Sequence, residues 1–195
     1  DNLSIGLYYK DIDNPIEFFE SAASDTNRSR EIINAESGEV YGLELEGLKS
    51  LGFLGNFWQQ FFIQGNLTVQ GSELVAGSFA DAPTNAKREL AGASDYVANV
   101  VVGFDSNNAM HSATLSYNVF GERLFTAGRR GAPDTIEQPF HSLDLTYSWY
   151  PRDEIILQFK ARNLLDETVE MERGGVLTFE EKPGMSVAMS FEWLM

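Results

Sequence analysis

The chain has 195 residues, 29 acidic and 14 basic side chains, and no cysteine, giving a formal charge of −15. This charge excludes a nucleic-acid surface, because no concentrated basic patch offsets the repulsion from phosphates; the tightest basic pairs are Lys87-Arg88 and Arg129-Arg130. The lack of cysteine excludes a disulfide scaffold, a cysteine zinc site and thiol catalysis. A transmembrane helix is excluded too, since no strictly apolar run exceeds three residues.

Along the chain, apolar residues fall at every second position in eight stretches. This period marks a strand with one apolar and one more polar face. The first is Leu3, Ile5, Leu7, Tyr9. The second is Tyr41, Leu43, Leu45, facing away from Glu44 and Glu46. The third is Phe61, Ile63, Leu67, Val69, opposite Gln60, Gln64, Asn66, Thr68 and Gln70. The fourth is Tyr96, Ala98, Val100, Val102, Phe104, and the fifth is Ala113, Leu115, Tyr117, Val119. The sixth is Leu143, Leu145, Tyr147, Trp149. The seventh is Ile155, Leu157, Phe159, Ala161, opposite Ile156, Gln158, Lys160 and Arg162. The eighth is Met185, Val187, Met189, Phe191, Trp193, Met195.

The connections alternate in length. Those near 49–55, 105–108 and 150–153 are short and rich in turn formers, whereas 13–34, 75–94, 124–138 and 173–182 are longer, polar and mostly acidic. Short turns at one end and long loops at the other predict an all-β, antiparallel up-and-down transmembrane β-barrel. Phe57, Phe104, Trp149 and Trp193 fall beside the short turns, and Tyr9, Tyr41 and Tyr96 beside the long loops, as the two aromatic girdles of a lipid-facing barrel would. No linker or low-complexity stretch divides the chain, so 1–195 is one unit. Its opening, Asp1-Asn2-Leu3-Ser4, has no basic region followed by an apolar one, and it reads as a mature or truncated piece.

Several motifs resemble the C-terminal part of TonB-dependent outer-membrane receptors. Val40-Tyr41-Gly42-Leu43-Glu44-Leu45-Glu46 is similar to the strand that follows a long loop in these barrels. Leu90-Ala91-Gly92-Ala93-Ser94-Asp95-Tyr96 with Asn99-Val100 is similar to a later loop-to-strand entry. Asn163-Leu164-Leu165-Asp166 resembles the family's Asn-Leu-Phe-Asp motif on the penultimate strand, and Lys182-Pro183-Gly184 leads into the last strand as a Gly-Arg-Pro segment does there. The resemblance implies a barrel of about 22 strands, of which these are the last eight, closed by a plug domain of the same chain that lies outside this sequence. It implies a location in the bacterial outer membrane, among its lipid, and energy from the TonB complex through a missing N-terminal part. Its cargo would be a scarce nutrient such as a ferric siderophore, cobalamin or a saccharide. Val187, Met189, Phe191, Trp193 and Met195 would form the signal read by the barrel-assembly machinery, with methionine where the family commonly ends in an aromatic.

No catalytic, metal or cofactor site is expected. His141 and Ser142 are strand neighbours and point to opposite faces, so with Asp144 they cannot form a triad. Glu167, Glu170, Glu172, Glu180 and Glu181 lack the order of a calcium loop and read as a solvated loop. Gly128-Arg129-Arg130-Gly131 is a candidate loop for an anionic ligand. Asn163 and Asp166 suit a hydrogen-bonded strand distortion near the rim. Gln60, Gln64, Asn66, Thr68, Lys160 and Arg162 would line the lumen. Two alternatives stay open: a self-contained eight-stranded outer-membrane barrel with an envelope-stability or adhesion role, and a soluble lipocalin-like binding barrel.

Overall fold

The computed structural model describes residues 1–24, 27–77 and 83–194, with side chains described outside 19–31. Fifteen strands run in chain order among the described residues. They are β1 (Asn2–Asp13), β2 (Ile16–Ser24), β3 (Asn27–Asn34), β4 (Ser37–Ser50), β5 (Phe61–Val75), β6 (Lys87–Arg88), β7 (Tyr96–Asp105) and β8 (His111–Phe120). Then follow β9 (Arg123–Thr126), β10 (Thr135–Glu137), β11 (Phe140–Arg152), β12 (Ile155–Arg162), β13 (Val169–Arg173), β14 (Val176–Glu181) and β15 (Ser186–Trp193). Among the described residues the longest helical segment is a five-residue 3₁₀ turn, and no helix is long and apolar enough to cross a membrane.

Eight of these strands form one antiparallel sheet in the order β1-β4-β5-β7-β8-β11-β12-β15, with β6 beside β5. Spatial order follows chain order, which is an up-and-down meander. Its eight strands are those that the period-two pattern marks.

The register carries the alternation across the sheet, because directly paired residues share a face. One row joins Ile63, Val102, Leu115, Leu145, Ala161 and Val187. The next joins Phe61, Phe104, Ala113, Tyr147, Phe159 and Met189. On the other face, Ser4, Glu46, Asn66, Asn99, Asn118 and Ser142 line up strand by strand. A slip of one residue anywhere would mix the two rows, so the pattern fixes the pairing. The apolar face is open: Leu7 and Met189 are each 82% exposed.

A sheet with an exposed apolar face has little core of its own. The buried apolar residues instead gather at the long-connection end, where Ala35, Leu74 and Ala76 pack with Ile33 and Leu90, and Leu124 and Ala127 are also buried. There the structure departs from the sequence reading. The long connections are not plain loops but carry strands. β2 pairs with β3, and β9, β10, β13 and β14 form a separate sheet in the order β14-β13-β10-β9. The acidic run from Glu170 to Glu181 therefore lies largely on the β13–β14 hairpin rather than in an irregular loop. At the opposite end the 49–55 turn is a longer excursion, two 3₁₀ turns at Gly52–Leu54 and Asn56–Gln60, and Phe57 sits in the second of them.

Candidate functional site

The long-connection end is built as one layer in which each connection grips the next. Glu17, at the start of β2, is 3% exposed and reaches β6. Its Oε2 accepts a 3.0 Å charged hydrogen bond from Arg88 Nη2, and its Oε1 accepts a 3.3 Å bond from the Ala91 amide. Arg88 Nη1 donates to the Asn85 carbonyl at 3.3 Å, while its buried Nε has no hydrogen-bond partner. A charge pair this dry holds its geometry, because freeing either partner would leave the other buried and uncompensated.

The second connection grips the third in the same way. Asp134 accepts from the Gly128 amide at 2.6 Å through one carboxylate oxygen and from Asn85 Nδ2 at 2.9 Å through the other. Thr84 Oγ1 donates to the Ala132 carbonyl at 2.7 Å and accepts from the Gly131 amide at 3.1 Å. Ser94 Oγ donates to the Gly121 carbonyl at 3.0 Å, and the Gly92 amide to the Leu124 carbonyl at 2.8 Å. Gly128 is required at this crossing, because a Cβ there would lie 2.1 Å from the Ala132 carbonyl oxygen.

The third and fourth connections share the β9–β10–β13–β14 sheet. Across it Arg123 makes a bidentate pair with Glu137, at 2.7 and 3.0 Å, and lies 4.1 Å above the Phe120 ring. Bidentate geometry and ring stacking both favour arginine over lysine at this place. Arg173 Nε donates to Thr135 Oγ1 at 2.9 Å. Beside these pairs the Glu89 carboxyl is held above its ordinary range, first by partial burial and then by Asp95 and Glu122. Lys87 is raised by its hydrogen bond to Glu73.

The sequence-derived site residues are distributed through this layer. Arg129 and Arg130 lie on the turn of the third connection, Arg129 half-buried with its backbone bridged to Pro83, and Arg130 exposed with φ of 54°. The nearby cavity between Asn85, Lys87, Arg88, Glu89, Leu124, Asp134 and Ile136 is about 280 Å³. Asn163 is buried at the end of β12 with φ of 53°. Its Nδ2 donates to the Glu167 and Gly184 carbonyls, each at 3.3 Å, and its Oδ1 accepts from the Glu167 amide at 3.0 Å. The side chain thus closes the 163–167 turn and holds the approach to β15. Leu164 and Leu165 are exposed, and Asp166 takes a left-handed φ of 53°.

On β15, Val187, Met189, Phe191 and Trp193 project on the apolar face opposite Ala161, Phe159, Leu157 and Ile155; Met195 lies outside the described residues. The polar face carries Gln64, Asn66, Thr68 and Lys160 in register, Arg162 at the same face's rim opposite Ser186, and Asn99 Nδ2 donating to Asn66 Oδ1 at 2.7 Å. Gln60 closes the 3₁₀ excursion and accepts from the Asn107 amide at 3.3 Å. His141 and Ser142 do not meet. His141 Nδ1 lies 2.6 Å from the Tyr117 hydroxyl on the apolar face, whereas Ser142 donates to Asp144 at 3.1 Å on the polar one. Among the described residues no group of three or more His, Asp and Glu side chains is placed to hold a metal ion.

Glu17, Thr84, Arg88, Arg123, Asp134 and Glu137 escape the sequence reading. Glu17 and Arg88 are 71 residues apart, and neither has a local pattern that names the other. Arg88 reads only as half of a basic pair with Lys87, and of the two only Lys87 is exposed.

The fold has known counterparts. Residues 1–164 match the family model described as TonB dependent receptor-like, beta-barrel. Comparison with curated proteins gives no significant match. Solved structures that share the fold include the following three. The ferric-catecholate import receptor Fiu of Escherichia coli K12 has 16% identity and a TM-score of 0.62 over 97% of this chain and 25% of its own. The FrpB iron transporter of Neisseria meningitidis has 12% and 0.64 over 98% and 27%. The ferric enterobactin receptor PfeA of Pseudomonas aeruginosa has 15% and 0.64 over 98% and 29%. The chain thus spans about a quarter to a third of the length of these structures. With a family match over most of its length and an up-and-down sheet carrying an apolar face, the chain belongs to the TonB-dependent receptor β-barrel family.

Proposed function

We propose that residues 1–195 are the C-terminal portion of an outer-membrane transporter that imports a ferric siderophore with energy from TonB. The family match over 1–164 carries this reading. Siderophore is favoured over cobalamin or a saccharide because the solved relatives are a ferric-catecholate receptor, a ferric enterobactin receptor and an iron transporter. In this reading the apolar face meets outer-membrane lipid, and the polar face, including Asn66, Thr68, Lys160 and Arg162, meets water and the plug domain. The layer of long connections faces the outside, and β15 carries the signal for the barrel-assembly machinery. The protein moves its cargo without chemical change, so no residue has a catalytic role.

Deleting the full-length gene from an iron-limited strain tests this. Uptake of radioiron bound to a catecholate siderophore should fall to background, return with the intact gene, and stay absent when TonB is deleted. Unchanged iron uptake with a loss of cobalamin or saccharide uptake would move the cargo to that class. Uptake independent of TonB would remove the transporter reading.

A further inference from the structure

The short connections differ sharply in character. Those at 106–110 and 152–154 carry Ser106, Asn107 and Asn108, and Arg152, Asp153 and Glu154. The connection from β4 to β5, residues 51–60, has no charged residue and presents Phe53, Leu54, Phe57 and Trp58 at 67, 55, 65 and 39% exposure. Its backbone is folded on itself. The Leu54 amide donates to the Leu51 carbonyl, Gly55 to Gly52, and Trp58 to Gly55, while the Leu51 amide donates to the Phe61 carbonyl and closes the base. Gly55 bends the chain between the two 3₁₀ turns at φ of 126°.

Three aromatic side chains of this hook, Phe53, Phe57 and Trp58, neighbour residues of the sheet's apolar face. The rings of Phe57 and Trp58 are each 5.4 Å from Phe61, which is 5.0 Å from Phe104, and both of these belong to an apolar row of the sheet. Lys49, paired with Ile63 on that face, holds its ammonium 5.4 Å above the Phe53 ring.

We infer that residues 51–60 form an interfacial anchor, laying Phe53, Leu54, Phe57 and Trp58 into the headgroup–acyl boundary of the periplasmic leaflet. The inference rests on the outer-membrane reading above. The occupant is phospholipid because the hook continues the lipid-facing surface at its lower edge. Uncharged aromatic clusters with internally bonded backbone suit that boundary better than periplasmic water.

The test uses the full receptor, free of other cysteines, in vesicles of phosphatidylethanolamine and phosphatidylglycerol. Single nitroxide labels are placed at F57C, at V100C on the apolar face and at N107C on a polar turn. Oxygen collides with labels in lipid, and a nickel chelate with labels in water. The oxygen-to-nickel ratio at 57 should approach that at 100 and exceed that at 107 by about threefold or more. The same result is expected at F53C, an equally exposed position that guards against a local effect of one substitution. A ratio at 57 equal to that at 107 overturns the anchor, and so does loss of both collisions at 57, which would mean that protein covers the hook. A water-like ratio at 100 would instead overturn the outer-membrane reading, and the anchor with it.

Discussion

Four glycines of the sheet each lie directly across from an aromatic ring: Gly42 from Tyr8, Gly71 from Tyr41, Gly103 from Phe62 and Gly121 from Tyr96. A Cβ added at these positions would come within 2.7, 2.9, 2.0 and 2.7 Å of the facing aromatic side chain, the first distance being to the Tyr8 hydroxyl. Glycine alone weakens a strand, but a ring folded flat over it shields the bare backbone and gives the pair a packed surface. Two of the pairs are on the apolar face and two on the polar face, so the device belongs to strand pairing and not to lipid contact. Gly103→Ala should therefore cost about 1–3 kcal/mol through displacement of the Phe62 ring. In a Phe62→Ala background the same change should cost far less, because the obstacle is gone. Urea unfolding of the full receptor in vesicles measures both; equal costs in the two backgrounds would reject the steric account.

At the scale of elements, the tied layer concentrates its stability in few contacts. Glu17→Gln leaves the Arg88 guanidinium buried without its counter-charge, and loss of one partner of such a pair costs about 3–5 kcal/mol. That cost should appear as amide exchange around 85–92 accelerated by roughly two orders of magnitude or more, with exchange in β7 and β8 unchanged. No acceleration would mean that the second connection is held by its other bonds alone. The long strands are legible in the sequence because a buried or lipid-facing side must repeat every second residue over eight to fifteen positions. The strands of the connections are not. β10 has three residues, and its neighbours β9 and β13 come from different connections, so no window of sequence contains the sheet. Asn163 is an intermediate case. Its place in a motif marks a turn, and two of its three side-chain bonds close that turn on Glu167; the third, to the Gly184 carbonyl, depends on a chain return about twenty residues on. The hook at 51–60 escapes for another reason: Phe57 fits an alternating strand end as well as a 3₁₀ turn.

For the whole molecule, the decisive feature is the pair of outer strands. β1 hydrogen-bonds only to β4 and β15 only to β12 within the main sheet, and every residue of β15 is exposed. Lipid cannot satisfy the free backbone groups of such edges, and in water they recruit other strands. Residues 1–195 produced alone should therefore aggregate in detergent and give no protease-resistant band whose gel mobility shifts on heating. A stable, heat-modifiable monomer would favour the self-contained eight-stranded barrel, and the transporter reading would lose its structural basis.

Asp134 has a further consequence, because its two carboxylate oxygens serve two different surface segments, the Gly128 amide and the Asn85 side chain. Surface connections are ordinarily the parts of a protein that drift and exchange most freely between relatives. Here residues 84–85 and 128–134 hold matching halves of one lock. A segment borrowed from another receptor at either place arrives without its counterpart, so the bond between Asn85 and Asp134 is lost and Asp134 keeps only the Gly128 amide of its own segment. A graft that keeps these bonds therefore carries both segments together.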